Sequence, residues 1–243
     1  MSPPDNSTDT SARFDPQLVE ADGGFEVRTG RLALMVAPGV PLCVPNRGLA
    51  QALADEWRAR GVQAKRDDLP LARLALAAAE VAQNRAPVEK AVLEYSSTDL
   101  VCYWSSETDP KPLRDAQAAA WQPLLDWLAE THGARLQPVF GVAPVRQDDA
   151  ALQRLQEVVA VCAPHELIVL RIGTAASGSL VIGLALCAGA LSPDKAYEAA
   201  TVDEKFQMER WGRDEEAEQA LAAKRAEIAN AVHFLKLWRG ESP

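Results

Sequence analysis

Several residue sets in this 243-residue chain have types or spacings that could do chemistry. The stretch GTAASGS (173–179) imitates the opening of a phosphate loop. Such a loop cradles phosphate oxygens on glycine-rich backbone N–H groups and adds a lysine. Here the lysine position is Ser179, and no strand clearly leads into the stretch. Small residues for close helix packing are the stronger reading. An enzyme that uses Gly173–Ser179 for a phosphorylated ligand is the competing one. Ser177 and Ser179 do not sit in G-x-S-x-G, so a nucleophile elbow is unsupported. His132, His165 and His233 have no partner four residues away, which leaves neither a metal pair nor an evident general base. His132 reads as a residue at a helix C-terminus, favourable to the dipole. Asp203 and Glu204 could form an acid/base pair, but neighbours in a helix diverge by about 100° and share one substrate poorly. The chain is expected to be no enzyme and to need no metal or cofactor.

The chemistry that remains is surface chemistry, and it centres on TVDEKFQMERWGRDEEAE (201–218). From Glu198 to Glu218 there are eight acids against Lys205, Arg210 and Arg213, more than half of the whole-chain charge of −9. On one continuous helix, Val202, Phe206, Ala217, Ala220, Leu221, Ile228, Ala231, Val232, Leu235 and Trp238 share an arc of about 120°, the width of a core-facing stripe. Glu204, Met208, Trp211, Glu215 and Glu218 fall on the opposite side. Methionine and tryptophan among carboxylates suggest a surface that a partner covers; packing of Trp211 on this same chain is the alternative. A kink at Gly212 would reset the phase.

The length suits one large domain or two small ones. The acidic balance argues against a general nucleic-acid or anionic-membrane binder. Cys43, Cys102, Cys162 and Cys187 are far apart and lack C-x-x-C, so they read as buried small apolar residues in a reducing compartment. The N-terminus has no apolar core and too few arginines for a transit peptide, so a polar tail and a bacterial cytoplasmic location are expected. Thr174–Leu191 carries no charge, but its properly apolar part is about 12 residues, too short to span a bilayer. It reads as a buried core helix, with no membrane insertion.

The elements that must position the acidic stretch run as follows. Phe25–Arg28 and Arg31–Val36 bracket a turn at Thr29-Gly30, and Leu42–Val44 is a third short run. Asn46 caps a helix with Leu49, Leu53 and Trp57 inward and a stop at Gly61. Gln63–Asp68 is read as extended, and Pro70 opens a helix with Leu71, Leu74, Ala75 and Ala78 inward. Another helix spans Pro87–Glu94; Leu100–Trp104 is ambiguous. Pro112–His132 is an amphipathic helix with Ala116, Ala120, Leu124, Trp127 and Leu128 inward and Gly133 as stop. Val139–Val142 is extended, and Asp148 or Asp149 caps a helix through Leu152, Leu155, Val159 and Cys162. Helices follow at 165–172, 177–190 and 193–200. The fold class is α+β with segregated elements. It comprises a tail over 1–22, a small β-rich unit over 23–46, its boundary open to about 68, and a mainly helical domain over 47–243.

Six blocks occur in the order and spacing of one family: GRLALMVAPGVPLCVPNRGLAQALADEW (30–57), LPLARLALAA (69–78), TDLVCYW (98–104), WQPLLDW (121–127), GSLVIGLALCAGAL (178–191) and DEKFQMERWGRDEEA (203–217). Together they resemble the assembly chaperones of the ATP synthase F1 head that bind the alpha subunit, over about residues 24–238. The resemblance implies no enzymatic activity and a role in holding free F1-ATPase alpha subunit until the beta subunit replaces the chaperone. It places the family's sensitive acid at Asp203 or Glu204, and a family tryptophan at Trp57. It implies a mitochondrial matrix location for eukaryotic members. The candidate partner-binding residues are thus Asp203, Glu204, Met208, Trp211 and Glu215. Several family polar positions are changed: the basic-Thr-Pro after G-R is Leu34–Pro38, and Ala72, Leu76, Ala77, Trp104 and Gln122 stand at others. These changes imply a diverged member with a weakened or altered client preference, and a structural interaction module with another client is the further alternative.

Overall fold

The computed structural model describes residues 14–30, 32–141, 146–212 and 214–241. Arg31, Val142, Arg213 and the first 13 residues of the expected tail lie outside them. The chain divides into two compact units, one through Leu76 and the other from Ala77.

In the first unit, β1 (Gln17–Ala21) and β2 (Gly24–Thr29) pair antiparallel across Asp22-Gly23, with Ala21 opposite Gly24. The other edge of β2 is shared by β3 (Leu32–Ala33) and β6 (Cys43–Val44). Between these, β4 (Met35–Ala37) and β5 (Val40–Pro41) form a separate hairpin. The turn at Thr29-Gly30 forms as expected, with Thr29 opposite Leu32. The strand β1 falls inside the segment read as tail. Asp-Gly is a strong hairpin signal, and the polar residues around it masked the strand. The ends of β1 and α1 (Arg47–Arg60) are fastened together by Arg58, which donates to Asp15 at 3.1 Å and to the Pro16 carbonyl at 2.8 Å. At Gly24 an added Cβ would stand 2.1 Å from the Val44 carbonyl oxygen, so β6 can approach only because that position has no side chain.

Asn46 caps α1 by accepting from the Leu49 N–H at 2.9 Å, and Leu49, Leu53 and Trp57 are buried as expected. Residues Arg66–Asp68 form a 3-10 turn, not an extended segment. The cause is local: Asp68 folds back to accept from the Lys65 N–H at 2.9 Å. Glu56 then accepts from the Leu71 and Ala72 N–H groups at 2.7 and 3.0 Å, capping α2 (Pro70–Gln83) from outside that helix.

The second unit is built around α6 (Pro164–Ser177) and α7 (Leu180–Cys187). The uncharged stretch is therefore two helices, because Gly178 turns left-handed between them (φ 73°). Every residue of α7 is buried. A Cβ on Gly173 would meet Leu186 at 3.2 Å, and one on Gly183 would meet Thr174 Oγ1 at 2.5 Å. The small residues of GTAASGS thus let two helices touch. The α3 helix (Ala86–Leu93), α8 (Pro193–Ala200) and α10 (Glu215–Arg239) pack on α6, and α4 (Lys111–His132) packs on α7. A short parallel pair, β7 (Tyr103–Trp104) with β8 (Val139–Phe140), lies beside α4, and α5 (Asp149–Ala160) is capped by Asp148.

The inward stripe of α4 is rotated from the expected one. Gln117, Trp121, Leu124, Leu125 and Leu128 are buried, Ala116 is exposed, and Trp127 is only partly covered. Trp121 draws the helix round, because its indole N–H donates to the Ala199 carbonyl at 2.8 Å. His132 is the last residue of α4, as expected, and burial and the nearby Arg154 hold its pKa below the ordinary value. All four cysteines are free thiols; Cys102 and Cys187 are buried as expected, but Cys43 is exposed on β6. No helix among the described residues is long and apolar enough to cross a membrane.

Candidate functional site

Thr201 is fully buried, and its hydroxyl donates to the Tyr197 carbonyl at 2.6 Å, which fixes where the acidic stretch leaves the core. From there α9 (Val202–Trp211) runs against α4 and contains no buried residue. It ends at Gly212 (φ 96°, ψ 169°), whose N–H caps the Met208 carbonyl at 3.0 Å. The expected single helix is therefore two. The phase counted from Phe206 does not carry into α10, because a residue at that φ cannot continue a helix. Within α10 the stripe holds from Leu221 onward, with Ile228, Ala231, Val232 and Leu235 buried. Val202, Phe206, Ala217 and Ala220 are not buried, and Trp238 at the far end is only partly covered.

The five candidate residues separate into different environments. Asp203 turns inward: the amide of Gln117, itself 2% exposed, donates to its carboxylate at 2.7 Å. The Gln117 oxygen accepts from the Ser105 N–H at 2.8 Å, so one side chain ties α9 to the segment after β7. Loss of solvation raises the Asp203 pKa, against the Gln117 hydrogen bond that lowers it. Glu204 reaches across to α10, accepting from Lys224 at 3.1 Å. Met208 does not point away from α10. With Leu221 it borders two cavities, one on each face of the α9–α10 pair. Trp211 is 74% exposed, and Glu215, in the first turn of α10, is also exposed. The structure thus groups Glu204, Met208, Trp211 and Glu215 along one hairpin and sets Asp203 apart as an inward tether. Packing of Trp211 on its own chain is excluded by its exposure.

Gln117, Lys224 and Tyr197 were missed as participants. Gln117 had a legible signal, since it lies four residues before Trp121 on the same helical face. Lys224 and Tyr197 had none, because their positions depend on the reversal at Gly212. One cavity, about 390 Å³, is lined by Tyr197, Lys205, Met208, Glu209, Leu221 and Arg225, among others. Lys205 lies over the Tyr197 ring at 4.6 Å, and Arg225 is paired with Asp194 at 2.7 Å. The other, about 260 Å³, is floored by Ala217, Ala220, Met208 and Leu221, with Glu204 and Lys224 closing it.

The segment 173–179 makes no phosphate loop. Gly173–Ser177 is the last turn of α6, Ser177 donates its hydroxyl to the Gly173 carbonyl at 2.6 Å, and Ser179 caps α7 through the Ile182 N–H at 3.0 Å. Among the described residues no three His, Cys, Asp or Glu side chains are gathered to hold a metal.

Trp211 thus leaves a large apolar side chain open to solvent among exposed carboxylates. Comparison with known proteins gives the class. Residues 10–129 match the model of the ATP12 chaperone protein family. The chain is 36% identical to Atp12 from Paracoccus denitrificans, and its fold matches that crystal structure with a TM-score of 0.85, over 93% of this chain and 96% of that one. A crystal structure from Agrobacterium tumefaciens matches with a TM-score of 0.81 at 32% identity, over 92% of this chain and 84% of that one. The mitochondrial protein atp12 of Schizosaccharomyces pombe is 22% identical over 180 residues, which make up 70% of this chain but 62% of the yeast protein's length. This chain belongs to the ATP12 chaperone family.

Proposed function

We propose that this protein is a non-enzymatic assembly chaperone that binds the free alpha subunit of F1-ATPase and keeps it from aggregating until the beta subunit replaces it. Membership of the ATP12 chaperone family supports the general role. The observation that carries the binding mode is Trp211, 74% exposed at the end of a helix that buries none of its own residues. An isolated F1 subunit exposes apolar surface that its neighbour would cover. A chaperone for it needs an aromatic anchor whose removal from water is completed only in the complex. Glu204, Met208 and Glu215 share the hairpin with that anchor, while Asp203 sets its angle through Gln117.

The test is light scattering of isolated F1 alpha subunit, with and without equimolar chaperone, in the absence of ATP and metal. Suppression of aggregation, reversed on adding beta subunit, is the expected result. A requirement for ATP or metal, or suppression of an unrelated aggregating protein to the same degree, contradicts it.

A further inference from the structure

The two faces of the α9–α10 hairpin are unlike, and the difference identifies what one of them accepts. On the face bordered by Tyr197, the cations are already engaged: Lys205 with the Tyr197 ring and Arg225 with Asp194. The other face has a floor of Ala217, Ala220, Met208 and Leu221, with the Glu204–Lys224 pair at one end. Trp211 follows Gln207 by four residues and Glu204 by seven, so it continues this second face at its open end. A channel between two helices, floored by alanines, offers no free strand edge. An extended peptide there would leave its backbone N–H and C=O groups without partners, whereas a helix satisfies its own. Met208 supplies an adaptable contact along the seam. The ten residues of α9 span about 15 Å, the length of about three helical turns. Charge supplies the rest. At the tip, Asp214, Glu215 and Glu216 stand against Arg210 and Arg213 in the sequence, while Glu209 and Glu218 line the other cavity.

We propose that the Glu204–Gln207–Trp211–Ala217–Ala220 face seats a basic amphipathic helix. The apolar stripe of that helix lies over the alanine floor and against Trp211, and its lysines or arginines meet the acidic tip. This rests on the chaperone reading, and specifies which chemistry of client segment the hairpin holds.

The probes are three capped 14-residue peptides with the same leucine stripe and with Lys, Gln or Glu at every other position, titrated by fluorescence anisotropy against the full chain. The Lys peptide is expected to bind at least tenfold tighter than the Gln peptide at low salt, with the gap shrinking as salt rises. Ala220→Glu is the deciding variant. It adds negative charge, so mere attraction of a basic peptide to an acidic protein would strengthen; occlusion of the seat instead weakens binding tenfold or more. Ala222→Glu, on the opposite face, is expected to leave binding unchanged, and circular dichroism checks that both variants fold. Equal binding of the three peptides, or equal effects at 220 and 222, overturns the proposal. If selectivity fails while the wild type still holds alpha subunit, this inference falls and the chaperone reading stands. If the Lys peptide seats as stated but alpha subunit is not held, the reverse is true.

Discussion

The side-chain amide of Gln117 donates to the carboxylate of Asp203 at 2.7 Å, joining two residues 86 positions apart. Gln117 is buried and also accepts from the Ser105 N–H, so both ends of its amide are engaged. The acid that opens α9 is therefore a hinge pin between the core helix α4 and the exposed hairpin. Two kinds of acid coexist in the stretch: Asp203 positions it, and the glutamates beyond Gly212 decorate it.

Asp203→Lys is accordingly expected to act on stability as well as on binding, because it sets an ammonium against the Gln117 amide hydrogens. The loss of the hydrogen bond should cost about 1–2 kcal/mol. Asp203→Asn, which keeps an acceptor, should recover most of it. Urea unfolding of the three proteins checks this; equal midpoints would show that the Gln117 bond contributes nothing.

Trp211→Ala should leave the melting temperature within about 1 °C of wild type, since little of the side chain is buried in the free protein. Binding of alpha subunit should weaken by about 2 kcal/mol or more, as for an aromatic anchor. Phe206 is half-buried, and it lies three residues from Asp203 on the side that meets α4. Phe206→Ala should therefore cost stability, but less than the roughly 3–5 kcal/mol of a fully buried aromatic.

Much of the fold was legible because its signals are local. Asn46, Gly61, Pro70, Gly133 and Asp148 mark helix ends that depend on a few neighbouring residues. Trp211 was legible as exposed because a tryptophan among carboxylates within one helix is a local pattern. The placement of Met208 was not, because Gly212 turns the chain and brings Leu221 alongside, a relation between helices that no single-helix phase contains. The rotation of α4 was hidden for the same reason: the Ala199 carbonyl that receives the Trp121 indole lies 78 residues downstream.

Asp99 should impose a measurable pH dependence. Its carboxylate accepts from the Val101 and Val181 N–H groups at 3.2 and 3.0 Å, yet full burial pushes its pKa from 3.8 up to about 6. Because the folded value is raised, the folded state holds the proton more tightly. This contribution is fully present below about pH 4 and is lost as pH rises through 6, by about 3 kcal/mol in all. Comparing unfolding free energies of wild type and Asp99→Asn from pH 4 to 7 isolates it. The difference should shift across that window, and a constant difference would show that Asp99 does not titrate there.

Gly183→Ala tests the helix contact that GTAASGS provides. The new methyl would stand 2.5 Å from Thr174 Oγ1, 3.0 Å from Leu170 Cδ1 and 3.1 Å from the Leu170 carbonyl oxygen, so the two side chains must turn and the helix backbones give way slightly. A loss of about 1–3 kcal/mol is expected from such overpacking, read as a fall in melting temperature. An unchanged melt would mean that α6 and α7 yield at no cost.

The central claim, that the hairpin is where the client docks, is tested most directly by amide hydrogen exchange of this protein alone and bound to isolated F1 alpha subunit. The account predicts slowed exchange across 204–224, strongest around Trp211 and Ala220, with α7 unchanged because it is already buried. Protection confined to other segments, with 204–224 exchanging as in the free protein, would contradict it.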